Sequence, residues 1–329
     1  MMRAVYITTF GGPENLKIRE VPDPPTPTGK QVLVRVKAAG LNRADLIQRR
    51  GNYPPPSGYS PNIPGLEFAG EVVETGDAVL GFKKGDRVFG IVAGEAQAEL
   101  VLTDERVLAK IPDNLSFVEA AAVPEVFITA HDAIFTQAGL KHGETILIHA
   151  VGSGVGLAGL QLAKAAGATV FGTSRTEDKL EKCMEFGLDE AIVTAKPPEF
   201  ADIVKEKTAG KGVDVILDLV GAAYFQQNLE SLALKGRLVL VGLTSGSNAD
   251  FNLGIALYKR LKIIGTALRA RSFDEKAKAT RSFARDVIPL LANGAVRPNI
   301  DKTFPVEEVR KAHEHLESNE SFGKVVLEF

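Results

Sequence analysis

The sequence predicts an α/β fold in two parts, a β-rich domain and a domain built on a doubly wound parallel sheet. Three observations predict it. From Met1 to about Leu115, short apolar stretches are interrupted by glycine and proline every few residues, the punctuation of strands and loops. Between Glu144 and Lys179 the order changes to an apolar strand, a glycine-rich turn, a helix, a second strand and a polar loop. Further on, VDVILDLVG (213–221) and RLVLVGLTSG (237–246) repeat the pattern of a buried strand running into a polar glycine loop. The 329 residues, 45% hydrophobic and 24% charged, suffice for two cored domains. The expected division is 1–123 with 267–329 for the β-rich part and 124–266 for the parallel-sheet part.

Composition narrows the classes of partner. A formal net charge of -2 gives no general attraction for nucleic acid or an anionic membrane, so nucleic acid is not expected as the main partner. Five histidines and one cysteine, Cys183, offer neither a disulfide framework nor a multi-cysteine zinc site, which points to a reducing compartment. No apolar run approaches the length of about 18 residues that a membrane span needs, and no basic-then-apolar leader stands at Met1. A cytoplasmic location without membrane attachment is the expectation.

In the β-rich part, VLVRVKAAG (32–40) alternates as a half-buried strand does, after the turn PDPPTPTG. GLNRAD, Gly40 to Asp45, then opens a helix, LIQRR, with Asn42 and Asp45 as polar candidates; an N-cap and a first-turn carboxylate explain them equally well. Tyr53 lies in a proline-fixed loop, NYPPPSGYSPNIPG, where a phenol is held rigidly and can donate a hydrogen bond, although most loop tyrosines are amphipathic surface. PGLEFAGEVV places Glu67 just before an apolar strand, where a carboxylate must be paired or solvated, and a structural ion pair is the simpler reading.

SFVEAAAVPEVFITAHDAIFTQAGLKHGE is amphipathic and helical, with Ser116 and Glu119 as a capping box and Pro124 ending the alanine run where a new helix starts. Thr129 falls on the apolar side of that helix. Next, Ile146, Leu147 and Ile148 read as a buried parallel strand, followed by a turn in which Gly152, Gly154 and Gly156 free the backbone to present N–H groups. A helix from about Val155 to Ala166 would offer its amino terminus to a pyrophosphate, and a second strand spans about Thr169 to Gly172. This is half of a dinucleotide-binding unit. A bound NAD would want an acid about 20 residues beyond the turn. Here Thr173 and Ser174 are followed by Arg175 and, one turn on, Lys179, a set that suits the extra phosphate of NADPH. The alternative is that Arg175 and Lys179 balance Glu177, Asp178 and Glu181 on a solvated helix.

Ligands of an open parallel sheet lie across the carboxyl ends of its strands, so Val220, Gly242 and Thr244, Ser245 and Gly246 are candidate cofactor wall. Asp218 is expected to anchor its own turn. LKIIGTALRARS reads as a last strand, with Arg269 and Arg271 as candidates to approach substrate or phosphate, although two exposed arginines usually just face solvent. SFARDVIPLLANGAVRP reads as one helix ending at Gly294, VEEVRKAHEHLESN as another, and SFGKVVLEF as a closing strand. His313 and His315, two apart, cannot share a helix face, so no metal pair is expected there.

GLNRAD, PGLEFAGEVVETG and KKGDRVFG, in that order ahead of the glycine turn, resemble the medium-chain dehydrogenase/reductase superfamily over essentially the whole chain. The resemblance implies a GroES-like catalytic domain joined to a Rossmann domain. Zinc alcohol dehydrogenases of that superfamily carry a cysteine in the first motif and a histidine before the glutamate of the second; here Asn42 and Leu66 stand there, no cysteine or histidine precedes His131, and the four-cysteine lobe is missing. No metal site is expected. The pattern is similar to the zinc-free quinone oxidoreductases of the zeta-crystallin group, which implies that Asn42 and Tyr53, with Asp45 beside them, form the catalytic side of the cleft; Ile47 replaces a second tyrosine of some members. HAVGSGVG aligns with the A-x-x-G-x-x-G form of the turn, putting Ala150, Ser153 and Gly156 at its three positions, with serine as in the tumour-suppressor-inducible branch and a slightly tighter loop expected. Thr129 and Leu268 would approach the nicotinamide, and Lys324 would reach phosphate. The activity implied is NADPH-dependent reduction of a quinone, with homodimers common. The alternatives are an NADPH-dependent enone reductase and an NADPH-binding protein with little turnover, of crystallin or RNA-binding type.

Overall fold

A computed structural model describes residues 1–194 and 197–329. Its contacts divide the chain into two compact units, Met1–Ile128 with Leu268–Phe329, and Thr129–Ala267. The strands in chain order are β1 (Met2–Ile7), β2 (Leu16–Val21), β3 (Gln31–Leu41), β4 (Glu67–Thr75), β5 (Arg87–Ile91), β6 (Leu100–Asp104), β7 (Leu108–Lys110) and β8 (Thr145–Ile148). They continue as β9 (Thr169–Ser174), β10 (Glu190–Val193), β11 (Val213–Asp218), β12 (Leu232–Leu240), β13 (Lys262–Gly265), β14 (Ile300–Pro305) and β15 (Lys324–Glu328).

In the first unit the main sheet has the order β14-β15-β3-β4-β5-β7, with β6 also on β3 and a separate β1-β2 pair. β3 is its long centre, and its alternation packs Val32, Val34 and Val36 into one apolar cluster with Phe68, Val72, Val88 and Val101. Fully burying each such side chain contributes about 1.5–3 kcal/mol. Val325 pairs antiparallel with Leu41 and Phe68 with Ala39, so the end of β3 meets the start of β15 on one side and the start of β4 on the other. That register brings Asn42, Glu67 and Lys324 together from distant parts of the sequence.

The second unit has one sheet in the order β10-β9-β8-β11-β12-β13, with every pairing parallel. Counted within the unit this is 3-2-1-4-5-6, and the order reverses between β8 and β11. Ile146, Leu147 and Ile148 are all fully buried because helices cover both faces. The helix Gly154–Ala165 lies close to the sheet at Gly159, where an added Cβ would stand 3.1 Å from Leu217.

Several elements differ from expectation for identifiable reasons. The helix after the glycine turn begins at Gly154, not Val155, because Ser153 caps it with its Oγ accepting from the Gly156 N–H at 3.2 Å. β12 starts at Leu232, ahead of Arg237, and carries Lys235 at φ +62 within it. The stretch expected as one helix to Gly294 forms two, Phe273–Asp286 and Ile288–Ala292; Pro289, in the first turn of the second, has no N–H to continue the first. Pro124 likewise separates Phe117–Ala121, capped by Ser116 and Glu119 as expected, from Pro124–His131. No helix among the described residues is long and apolar enough to cross a membrane.

Candidate active site

The carboxyl ends of the parallel strands in the second unit carry a laced set of loops. After β8 the chain turns through Ala150, which takes φ +48, and the Val151 N–H is held by the Thr173 carbonyl at 3.0 Å. A Cβ at Gly156 would stand 2.5 Å from the Ala150 carbonyl oxygen and 2.6 Å from that of Val151, so this position must be glycine for the helix to start so close to the turn. The result is a tight backbone turn leading into a helix amino terminus, with Gly152, Ser153, Gly154 and Val155 around it: donors and dipole that fit a pyrophosphate. After β11, Asp218 accepts from Val220 N at 2.7 Å and Gly221 N at 3.0 Å, anchoring its own turn as expected. The Val220 carbonyl in turn accepts from the Ser245 N–H and hydroxyl, both at 2.9 Å, while Thr244 donates to the Leu219 carbonyl at 3.3 Å. Gly242 sits where a Cβ would press on that same Leu219 carbonyl at 2.9 Å.

The end of β9 is built to hold a loop still. Ser174 is buried; its Oγ accepts from Thr176 N at 3.3 Å, and its carbonyl accepts from the Thr194 N–H and hydroxyl, the latter oriented by Tyr224 at 2.7 Å. Arg175 projects into solvent and makes no ion pair among the described residues, whereas Lys179 acts electrostatically on Asp178, as the charge-balancing alternative expects of it. Thr173 needs a correction: it is fully buried with its hydroxyl 2.9 Å from His149 Nδ1, so it stands behind the loop and does not face a ligand. His149 Nε2 meets Asn228 at 2.6 Å, Asn228 donates to Asp218 at 2.9 Å, and burial pulls the imidazole pKa down. This chain of contacts joins the three loops. Thr129 is half-buried in the same unit.

The first unit holds a network of buried charge. Glu67 is fully buried; its Oε1 accepts from Lys324 Nζ at 2.6 Å and from the Asn42 amide at 2.8 Å, and its Oε2 accepts from the Glu125 backbone N–H at 2.8 Å. Gly40 makes room for this, because a Cβ there would lie 2.4 Å from Glu67 Oε1. Lys324 also donates to the Leu41 carbonyl at 2.6 Å and to Asn42 Oδ1 at 2.8 Å. All its protons are therefore spoken for, and the expectation that Lys324 reaches a phosphate is corrected. The ion pair expected of Glu67 is present, but it is the centre of a network and not an isolated pair.

Asp45 is also corrected as a catalytic candidate. It is fully buried, its Oδ2 accepting from Asn42 N at 2.8 Å and its Oδ1 from Gly65 N at 3.1 Å, and burial pushes its pKa up to about 6. It caps the helix Arg43–Arg49 and ties the Gly65 loop to it. Arg269, expected at the surface, is 5% exposed: Nε donates to the Ala93 carbonyl at 2.8 Å, Nη1 to the Tyr53 carbonyl at 2.9 Å and Nη2 to Gln48 at 2.6 Å. Its guanidinium also lies 4.7 Å from the Tyr53 ring centre. It clamps the tyrosine loop with one hydrogen bond from each guanidinium nitrogen. Tyr53 is half-buried, burial raises its phenol pKa, and no described residue hydrogen-bonds its hydroxyl. Leu268 is buried beside Arg269 in this unit.

Glu125 is a residue that motif and pattern do not single out. It lies in the first turn of Pro124–His131, half-buried, with its pKa pushed up to about 8 by burial first and by the neighbouring Glu67 second. The one signal for it in the sequence is an acid directly after the proline that opens an apolar helix. His313 is buried and His315 meets Asp301, consistent with their opposite faces. Among the described residues no group of three or more His, Cys, Asp and Glu is placed to hold a metal.

Two family models match: one described as the alcohol dehydrogenase GroES-like domain over residues 28–129, and one described as zinc-binding dehydrogenase over 154–285. The quinone oxidoreductase of Rattus norvegicus is 33% identical over 99% of this chain and 98% of its own. Among solved structures, an NAD-dependent alcohol dehydrogenase is similar at 33% identity with a TM-score of 0.88 over 100% of both chains. A mycobacterial protein complexed with NADPH stands at 29% and 0.89, again over 100% of both. An enoyl reductase in apo form stands at 27% and 0.87, over 100% of this chain and 99% of its own. The likeness spans both units and carries with it the GroES-like and Rossmann architecture of oxidoreductases. The chain belongs to the medium-chain dehydrogenase/reductase superfamily.

Proposed function

We propose that the protein is a zinc-independent, NADPH-dependent quinone reductase. The observation that carries this reading is Tyr53: a half-buried phenol, its ring fixed under Arg269 and its hydroxyl unengaged, in a unit whose second motif places Leu66 where a metal-binding histidine would stand. NADPH, when bound, supplies hydride to the acceptor. The tyrosine hydroxyl donates a hydrogen bond to the acceptor oxygen as negative charge develops on it. Asn42 contributes less, because one amide hydrogen is on Glu67, its carbonyl is on Lys324, and the other hydrogen points to the Gly40 carbonyl at 3.5 Å. The similarity to quinone oxidoreductases supports the acceptor class.

For the coenzyme, Ala150 to Gly156 cradle the pyrophosphate and Val220, Gly242, Thr244 and Ser245 form the wall beyond the β8/β11 reversal. Ser174, Arg175 and Lys179 hold the 2′-phosphate, with no acid at the end of β9 to repel it. Solved structures described as NAD-dependent and as complexed with NADPH both share this fold, and the residues of this loop support NADPH. A second reading, enone reduction, is favoured by the likeness to an enoyl reductase. Turnover of NADPH against a panel of ortho-quinones and enones tests both: oxidation with enones alone selects the second reading, and fluorescence quenching of NADPH without oxidation of any acceptor selects a binding protein.

The same reading includes a homodimer. Among the described residues β13 ends the sheet of the second unit with one edge unpaired, and Leu253, Leu257 and Tyr258 on the neighbouring helix are 71%, 72% and 82% exposed. Light scattering of the purified protein measures it, and a monomeric mass at micromolar concentration removes it.

A further inference from the structure

The 2′-phosphate is the part of NADPH that NADH lacks, so the preference between them depends on how firmly the loop after β9 is held. One buried side chain touches the supports of that loop and of the phosphate turn. We propose that His149 is a positioning residue for coenzyme choice, fixing the loop at Ser174 to Lys179 against the turn at Ala150 to Gly156. This role rests on the NADPH reading above and adds to it the residue that sets how strongly NADPH is preferred.

His149 follows directly on β8, just ahead of Ala150, and is fully buried. Two routes lead from it to Ser174. In the first, His149 Nδ1 lies 2.9 Å from the hydroxyl of Thr173, the residue before Ser174. In the second, the imidazole packs edge-on against the Tyr224 ring with centroids 4.8 Å apart, the Tyr224 hydroxyl donates to Thr194 Oγ1 at 2.7 Å, and the Thr194 hydroxyl donates to the Ser174 carbonyl at 3.2 Å. Phe200 packs on both rings, with centroids 4.9 Å from the imidazole and 5.2 Å from Tyr224. The two routes close a ring of contacts behind one loop, and every member of it is buried.

A third route fixes the imidazole itself. Asp218 Oδ1 accepts from the backbone N–H groups of Val220 and Gly221, and its Oδ2 accepts from Asn228 Nδ2 at 2.9 Å. Turning the Asn228 amide over would set its carbonyl oxygen against that carboxylate, so Asn228 Oδ1 is the atom that faces His149 Nε2 at 2.6 Å. Nε2 therefore carries the hydrogen, Nδ1 is left as the acceptor, and the Thr173 hydroxyl donates to it. The hydrogen bonds run in one direction, from Thr173 through His149 and Asn228 to Asp218. Filling space would need only an apolar ring; here both ring nitrogens are engaged in a fully buried site, and a satisfied buried network holds the groups that it joins in one geometry. Slack in this network would shift the loop that meets the 2′-phosphate while leaving the pyrophosphate turn intact, and so would weaken NADPH and spare NADH.

The test compares the full-length wild type with Thr173→Val, Tyr224→Phe and the double variant, which remove one hydroxyl from each route and keep the side-chain shape. Kd for NADPH and for NADH is read by fluorescence titration. The preference for NADPH should fall about fivefold in each single variant, the worth of roughly one hydrogen bond, with Kd for NADH within about twofold of the wild type. The double variant should lose more than either. His149→Asn, whose amide oxygen can stand where Nδ1 stands and accept from Thr173, should keep more of the preference than His149→Leu. Independently of binding, nitrogen NMR of the wild type should show a neutral imidazole with its hydrogen on Nε2, in a signal missing from His149→Asn. Equal losses for the two coenzymes in these variants, or a His149 with its hydrogen on Nδ1, would overturn the assignment. Arg175→Ala separates this role from the reading beneath it. If Arg175→Ala leaves the preference unchanged, the phosphate-loop reading fails and the role of His149 with it; if it lowers the preference while Thr173→Val and Tyr224→Phe do not, the positioning role alone is removed.

Discussion

The second unit gathers its candidate binding groups from loops that each follow directly on one parallel strand, and it offers a ligand mostly backbone N–H groups and a helix end. The first unit gathers its network from five segments, around Asn42 to Tyr53, Glu67, Glu125, Arg269 and Lys324, and it does so with side chains. The difference matters for robustness. A backbone cradle survives most side-chain changes provided the glycine that permits it remains, as at Gly156. A buried side-chain network strands its remaining members when one is lost.

The sharpest way to break this comparison is Lys324→Met. Glu67 would be left buried without its cation, and the cost should be about 3–5 kcal/mol, read from urea unfolding of the full chain. Lys324→Met with Glu67→Leu should recover a large share of that loss. A cost below about 1 kcal/mol for the single change would mean that the network does not hold the first unit together.

In the second unit, Ser174→Asp with Arg175→Ala should weaken NADPH by about 1.5–3 kcal/mol, roughly 10- to 150-fold, since a charge-assisted contact is lost and a repulsion gained. NADH binding should change far less. Equal losses for the two coenzymes, measured by fluorescence titration, would remove the assignment of this loop.

A smaller effect comes from pH. Asp45 is raised from 3.8 to about 6 and Glu125 from 4.5 to about 8, so the folded state holds both protons more tightly than the unfolded chain does. Stability should therefore fall as pH rises, from about 4 to 6 for Asp45 and from about 4.5 to 8 for Glu125. Glu125→Gln should flatten the decline between pH 6 and 8; a denaturation series with the same slope in both proteins would contradict the raised pKa.

The smallest expected change is Tyr53→Phe, which removes one neutral hydrogen bond to the acceptor oxygen. It should lower kcat/KM for quinones by about tenfold, near 1.4 kcal/mol, with NADPH affinity intact. Unchanged kcat/KM would exclude the hydroxyl from the acceptor site.

Much of the second unit is legible in the order of its residues. The strand at 146–148, the turn, the helix and the loop at Ser174 lie within one short stretch, and each follows from hydrophobic period and glycine placement. The first unit is legible only as a resemblance. Nothing around Lys324 announces Glu67, 257 residues away. Tyr53 stands out for its rigid loop, yet the residue that fixes it, Arg269, reads as solvent-facing because charge pattern alone cannot show burial. Asp45, Thr173 and Lys324 stand out for chemistry that their side chains spend on the protein itself.

Sequence alone establishes the strand, turn, helix and strand order of the nucleotide half and the lack of zinc ligands ahead of His131, because these depend on residues close together or on residue types that are simply not there. Only the tertiary structure decides which carboxyl is capped, which is paired and which keeps its proton. Those outcomes depend on desolvation and on neighbours contributed by β3, β4, β15 and the helix after Pro124, and such neighbours exist only once the register of the sheet has brought them within hydrogen-bond reach.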